Sequence, residues 1–125
     1  MDTKVSLLKF RIGESFWGID PHCIEGIANI ASYKNTSFKA LDLMEKWDVP
    51  GEKMPYQKIL FLKSGQPGEK IGLLAHEVMD IEEIPLECFK KLPSLIQRKI
   101  PGNCVIGISI FADSFCIILD AEKLV

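Results

Sequence analysis

Each of the two histidines has other side chains of metal-binding types near it: Cys23 follows His22, and Glu77, Asp80 and Cys88 follow His76. A zinc site needs three or four ligands that converge at about 2.0–2.3 Å. His22 and Cys23 are neighbours, so their side chains point apart in a helix or a strand. Asp80 stands where a second histidine, four residues after His76, would complete a zinc-binding helix. The spacing therefore predicts no metal site.

Cys23 is the best candidate for a nucleophile, because Pro21 places it in the first turn of a predicted helix, where its pKa would fall. A cysteine nucleophile also needs a base and a group that orients that base. His22 is the only candidate base next to it in the sequence, and a catalytic role for this pair is not expected. Glu82 and Glu83 alternate faces in a strand and do not form the carboxylate pair of a glycosidase. Without a glycine-rich phosphate loop, the sequence predicts a protein that is not an enzyme and binds no cofactor.

Size and charge narrow the class of protein further. The 125 residues predict a single domain over 1–125. A net charge of −2 gives no electrostatic signature of nucleic-acid or membrane-surface binding. No apolar run approaches the ~20 residues of a membrane-spanning helix, and the N-terminus lacks the features of a signal peptide. The four cysteines have no CxxC spacing and are expected to be reduced, so we expect a cytoplasmic protein.

The elements that must position these residues begin with a hairpin. Val5–Ile12 and Ser15–Asp20 read as strands, joined by the two-residue turn Gly13-Glu14. Asp20 followed by Pro21 is a helix-start signal. Ile24 and Ile27 are three residues apart, which predicts one face of a short helix that ends near Asn29.

Further strands are predicted along the rest of the chain. Phe38–Leu43 alternates, and Gln57–Lys63 forms a hairpin with Lys70–Ala75 through a turn at Ser64–Gly68. Val105–Phe111 and Ser114–Asp120 form the last hairpin. About seven short strands with brief helical inserts favour a small barrel or a sandwich.

Several of these segments resemble the CheW-like domain family, whose members are adaptors that couple chemoreceptors to a histidine kinase. The matching segments are FRIGESFWGID with the two isoleucines that follow, FKALDL, KIGLLAHEV, and VIGISIFADSFCIILDAEKLV. In FKALDL, Asp42 and Leu43 match the Asp-Leu that ends a family strand. In KIGLLAHEV, Gly72, Leu73 and Val78 match, but His76 stands at the usual aspartate position.

The chain departs from the family pattern in the segment between Ile30 and Phe38. There it is expected to lack the family strand that carries a Gly-hydrophobic-Asn-Leu-Arg-Gly motif, and no arginine lies between Arg11 and Arg98. Gly26 also stands where the family usually has an acid. A missing strand leaves an open sheet edge, and open edges recruit partners, so a homodimer or a dedicated partner is a further expectation.

The resemblance implies a mainly β fold of two small SH3-like β-barrels that share a core, with the first barrel shortened and with short helices. It implies two partners, the regulatory domain of a histidine kinase and the cytoplasmic tip of a chemoreceptor, and no nucleic acid or membrane insertion. The residues carried over as partner-binding are Ile24, Ile27, Asp42 and Leu43.

Two alternatives remain open at the level of sequence. Ile24 and Ile27 would instead be plain core residues if the short helix packed them inward. The chain as a whole would instead be a diverged CheW-like self-assembling or structural interaction module without kinase coupling.

Overall fold

A computed structural model describes residues 3–33, 38–47, 51, 54–63, 68–91, 104–112 and 114–124 of the chain. Ten strands lie in this part: β1 Lys4–Ile12, β2 Ser15–Ile19, β3 Ile24–Asn29, β4 Lys39–Leu41, β5 Lys58–Leu62, β6 Ile71–Ala75, β7 Glu77–Pro85, β8 Phe89–Lys90, β9 Val105–Phe111 and β10 Ser114–Leu119. Two short α-helices accompany them, α1 Leu43–Trp47 and α2 Ala121–Leu124. Three-residue 3-10 turns cover Pro21–Cys23, Ile30–Ser32 and Leu86–Cys88.

The strands form two sheets. A four-stranded sheet has the order β3-β5-β6-β4, and a six-stranded sheet has the order β7-β1-β2-β10-β9-β8. The two end strands of the larger sheet, β7 and β8, are consecutive in the chain and are joined only by the turn Leu86–Cys88. Because so short a link cannot cross a flat sheet of six strands, the larger sheet must curl back on itself.

The first hairpin forms as the sequence predicts. Phe10 pairs with Trp17 and Ile12 with Ser15 across the turn. Gly13 has a φ of 62°, which a glycine adopts at low cost and which suits the first position of a two-residue hairpin turn. The predicted β5–β6 and β9–β10 hairpins also pair antiparallel, although residues 64–67 of the Ser64–Gly68 turn lie outside the described residues.

A single apolar cluster joins the two sheets. From the larger sheet it includes Phe10 and Trp17, and from the smaller sheet Leu60 and Leu73. Trp47 of α1 packs against Trp17, with 6.0 Å between the ring centroids. A second, smaller cluster lies on the other face of the larger sheet, inside its curl, and contains Leu7, Ile84 and Ile118.

The helix predicted to run to Asn29 is wrong. Asp20 does cap a turn, accepting a hydrogen bond from the His22 N–H at 2.9 Å, but the turn ends at Cys23 and β3 begins at Ile24. A short helix that contains Gly26 and two β-branched residues has little stability of its own. Pairing with β5 gives the same residues a full ladder of hydrogen bonds instead.

A β-bulge explains the three-residue spacing of the isoleucines. Ile24 lies opposite Leu62 and Ile27 opposite Leu60, with the register shift between Ile24 and Gly26. Leu60 and Leu62 share one face of β5, so the extra residue in β3 places Ile24 and Ile27 on one face as well. Ile24 and Ile27 therefore share a face, as predicted, but it is a face of a bulged strand and not of a helix.

The predicted strand over Phe38–Leu43 is only partly confirmed. β4 covers Lys39–Leu41, and Asp42 then caps α1 by accepting a hydrogen bond from the Glu45 N–H at 3.2 Å. Leu43 is therefore the first residue of α1 and not the end of the strand.

Gly72 provides a test of packing in the smaller sheet. A β carbon at this position would lie 2.6 Å from Ile59 Cγ2 and 2.9 Å from Phe38 Cδ2. We expect Gly72→Ala to lower the free energy of unfolding by about 1–3 kcal/mol, measured by urea denaturation.

Gly26 is the matched control, because it lies in the same sheet and a β carbon added to it would meet no atom within 4 Å. Gly26→Ala should change the free energy of unfolding by less than about 0.5 kcal/mol. Equal losses in the two variants would contradict this account of the packing.

Candidate functional site

His76 lies where the chain passes from the smaller sheet to the larger one, between β6 and β7, and its side chain is buried. Its Nδ1 accepts a hydrogen bond from the Gly13 N–H at 2.9 Å, and its Nε2 lies 2.9 Å from the Met54 carbonyl oxygen. A backbone N–H can only donate and a carbonyl can only accept, so the ring is neutral with its proton on Nε2. Both ring nitrogens are therefore occupied by structural hydrogen bonds.

Tyr56 extends this arrangement toward α1. Its ring stacks on the His76 imidazole, with centroids 4.6 Å apart, and its hydroxyl donates to Asp42 Oδ1. Burial, followed by the hydrogen bond to Asp42, raises the pKa of the Tyr56 hydroxyl, so it remains a donor at neutral pH. Asp42 thus caps α1 and anchors Tyr56 with the same oxygen atom.

Two cavities flank Met54 and together form what we call the junction groove. One cavity is lined by Arg11, Gly13, Glu14, Met54 and His76, and the other by Asp42, Met44, Glu45, Met54, Pro55 and Tyr56. Their volumes are ≈ 180 and ≈ 290 Å³. Enclosed small-molecule pockets usually measure about 300–1,000 Å³, so these cavities are better suited to side chains of a bound polypeptide.

The four residues predicted to bind partners do not form one surface. Asp42 lines the junction groove, but Leu43 is 0% exposed, so its side chain cannot touch a partner in this conformation. Ile24 is partly buried and packs against the shared core, whereas Ile27 is 48% exposed. β3 and β4 lie at opposite ends of the strand order, so the isoleucines and Asp42 belong to different parts of the smaller sheet.

The residues considered for metal binding or catalysis are also dispersed. His22 is exposed and its Nδ1 lies 3.0 Å from Asp20 Oδ1. Burial, then the negative charge of Asp20, raises the pKa of the Cys23 thiol, so the expected lowering by a helix start is wrong. Among the described residues, no group of three or more His, Cys, Asp or Glu side chains is placed to hold a metal ion.

The chain belongs to the CheW-like domain family, whose model matches residues 19–125. This confirms the resemblance found in the sequence and supports the coarser functional prediction, a scaffold of the chemotaxis type. It also confirms the expectation that the chain is not an enzyme, because CheW-like proteins are scaffolds.

A solved structure supports the fold. The chain is similar to the scaffolding protein TtCheW from Thermoanaerobacter tengcongensis, with a TM-score of 0.68 and 20% sequence identity over 99% of this chain and 89% of that chain. The mainly β fold of two SH3-like barrels is thereby confirmed. No curated protein matches the chain. In the part of the chain that the structure describes, no helix is long and apolar enough to cross a membrane.

The sequence of β3 and of the turn after it can be compared with the family strand that was expected to be missing. Residues 34–37 of that expected gap lie outside the described residues. The sequence GIANIAS, which starts at Gly26 and runs from β3 into the next turn, contains glycine, hydrophobic residues, asparagine and an aliphatic residue in the order of the family motif, but two residues separate Gly26 from Asn29 where the motif has one. Alanine and serine follow in place of the motif's arginine and glycine. The absence of that family strand stays a prediction.

The hydrogen bonds of His76 generate a prediction about the family aspartate. An aspartate at this position could accept the Gly13 N–H but could not donate to the Met54 carbonyl. We expect His76→Asp to lower the free energy of unfolding by about 1–3 kcal/mol, because it leaves a partly buried acceptor without a donor. Thermal and urea denaturation would measure the change.

His22→Asn is the control for this variant, since His22 is exposed. It should alter stability by no more than about 0.5 kcal/mol. If His76→Asp were as stable as the unmodified chain, the bridge to Met54 would contribute nothing to the fold.

Proposed function

We propose that the chain is a non-enzymatic signalling adaptor that couples chemoreceptors to a histidine kinase by protein–protein binding. The observation that carries this proposal is the CheW-like family match over residues 19–125, combined with two separate candidate surfaces, the edge strand β3 and the junction groove. An adaptor needs at least two such surfaces, because it must hold two partners at once. The chain would act as a single domain in the cytoplasm.

One surface is the exposed part of β3, and we propose that it binds the regulatory domain of the kinase. β3 hydrogen-bonds to β5 alone among the described strands, so it is an edge of the smaller sheet. Ile27 projects from this edge with nearly half of its surface in water, while Ile24 supports it from the core. An exposed aliphatic residue on an open edge is an ordinary feature of protein interfaces.

The other surface is the junction groove, and we propose that it holds the cytoplasmic tip of a receptor. A helical hairpin presents an apolar ridge, and such ridges bind in grooves lined by adaptable side chains. Met44 and Met54 are flexible and polarizable, which suits them to this role. Asp42 takes part through its position in the groove, whereas Leu43 supports α1 from inside the core.

Ile27 provides the test of kinase binding. We expect Ile27→Asp to abolish co-purification with a kinase regulatory-domain fragment, because it places a charge in an apolar contact. The circular dichroism spectrum and the unfolding midpoint should change little, since Ile27 is half exposed.

Ile106→Asp is the matched control, because Ile106 is a strand isoleucine of the larger sheet with 67% exposure. It should retain kinase binding. Binding that survives Ile27→Asp would contradict the assignment of β3, and binding lost equally in both variants would show a non-specific effect of the substitution.

A self-assembling module is the second candidate function, and the open edges favour it. β3 and β4 each pair with one strand only in the described part of the chain, so two edges of the smaller sheet are available to another copy. Sedimentation velocity of the chain alone, over a hundredfold range of concentration, would test this. As an adaptor the chain should remain a monomer, whereas a concentration-dependent dimer that Ile27→Asp disrupts would favour self-assembly.

A further inference from the structure

The charges along the junction groove are unbalanced. Its described lining residues include three carboxylates, those of Glu14, Asp42 and Glu45, and one guanidinium, that of Arg11. Arg11 is already engaged, because its Nη1 donates to the Gly13 carbonyl at 2.7 Å and its Nε lies 3.3 Å from Glu77 Oε2. Glu14 and Glu45 are exposed and make no ion pair with the described residues. Among the residues that the structure describes, the groove therefore presents more negative than positive charge.

These two glutamates stand on fixed backbone. Glu45 is in α1, whose first turn is capped by Asp42. Glu14 follows Gly13, whose N–H is bonded to buried His76. Gly51 packs against the same turn so closely that a β carbon on it would lie 3.0 Å from the Glu14 backbone nitrogen. Charges held on rigid elements lose less conformational entropy when a partner binds.

The floor between the two carboxylates is apolar. Met54 is shared by both cavities and is 54% exposed, and Met44 and Pro55 extend the apolar lining on the α1 side. An apolar floor with negatively charged residues at its rim favours a partner whose central residue is apolar and whose flanking residues are positively charged.

We propose that the polypeptide segment that enters the junction groove is basic and amphipathic: an apolar side chain contacts Met54, and lysine or arginine residues on either side pair with Glu14 and Glu45. This inference rests on the proposed function, since it names the chemistry of the partner that the groove holds. It adds a specificity rule, because a receptor tip with acidic residues at those places would be repelled.

The test uses the full chain and a receptor helical-tip fragment that has lysine or arginine beside its apolar ridge, with affinity measured by isothermal titration calorimetry. Glu14→Lys and Glu45→Lys should each weaken binding by roughly fivefold or more at low salt. Raising the salt concentration should weaken binding of the unmodified chain more than that of either variant. Glu83→Lys is the control, because Glu83 is exposed on β7 and lines neither cavity, and it should bind like the unmodified chain.

Met54 separates failure of this inference from failure of the proposed function. Met54→Lys should abolish binding while Met54→Leu retains it, because only the first places a charge on the apolar floor. If Met54→Lys abolishes binding and the two glutamate variants bind normally, the groove holds the receptor but the basic partner is wrong. If Met54→Lys also binds normally, the groove is not the receptor site and both proposals fail. Tighter binding by Glu14→Lys or Glu45→Lys would reverse the predicted charge of the partner.

Discussion

Packing of the two sheets against each other is the constraint on which every other feature depends. Phe10 and Trp17 of the larger sheet meet Leu60 and Leu73 of the smaller sheet, and Trp47 closes the cluster from α1. Neither indole N–H has a hydrogen-bond acceptor among the described residues, so the two tryptophans contribute apolar contact area and not polar bonds. The junction groove lies at the surface where the two sheets meet, so its shape depends on how the core holds them together.

Hydrogen bonds between the two sheets connect this core to the junction groove. The imidazole of His76 holds the turn of the larger sheet with one nitrogen and the segment before β5 with the other. Tyr56 and Asp42 continue the chain of contacts into α1. Such a network is effective in a partly buried site because each member is satisfied by a fixed partner. The groove can consequently be rigid although methionine side chains form its floor.

Local features of the fold could be predicted from the sequence, whereas the groove could not. The Gly13-Glu14 turn and the β9–β10 hairpin depend on residues that are close in the chain. The spacing of Ile24 and Ile27 has two explanations, a helical turn or a bulged strand, and only pairing with β5 decides between them. Met54 and His76 are 22 residues apart in the chain, and no pattern in either segment predicts the hydrogen bond between them. Family resemblance named Asp42 and Leu43 together, but it could not show that Asp42 lines the groove while Leu43 faces inward.

The bulge in β3 makes the length of this strand adjustable at one position. If the codon for Glu25 were lost, Gly26 would follow Ile24 directly, still opposite Phe61, and Ile27 would remain opposite Leu60. The inward set of side chains would be preserved, and only the local bend and twist that a bulge imposes would relax. Loss of the codon for Ala28 would instead join Ile27 directly to Asn29. The residues before the deletion and those after it could then no longer both keep their present faces of the sheet. Deletion of Glu25 would thus alter the curvature of the smaller sheet without rebuilding the interior.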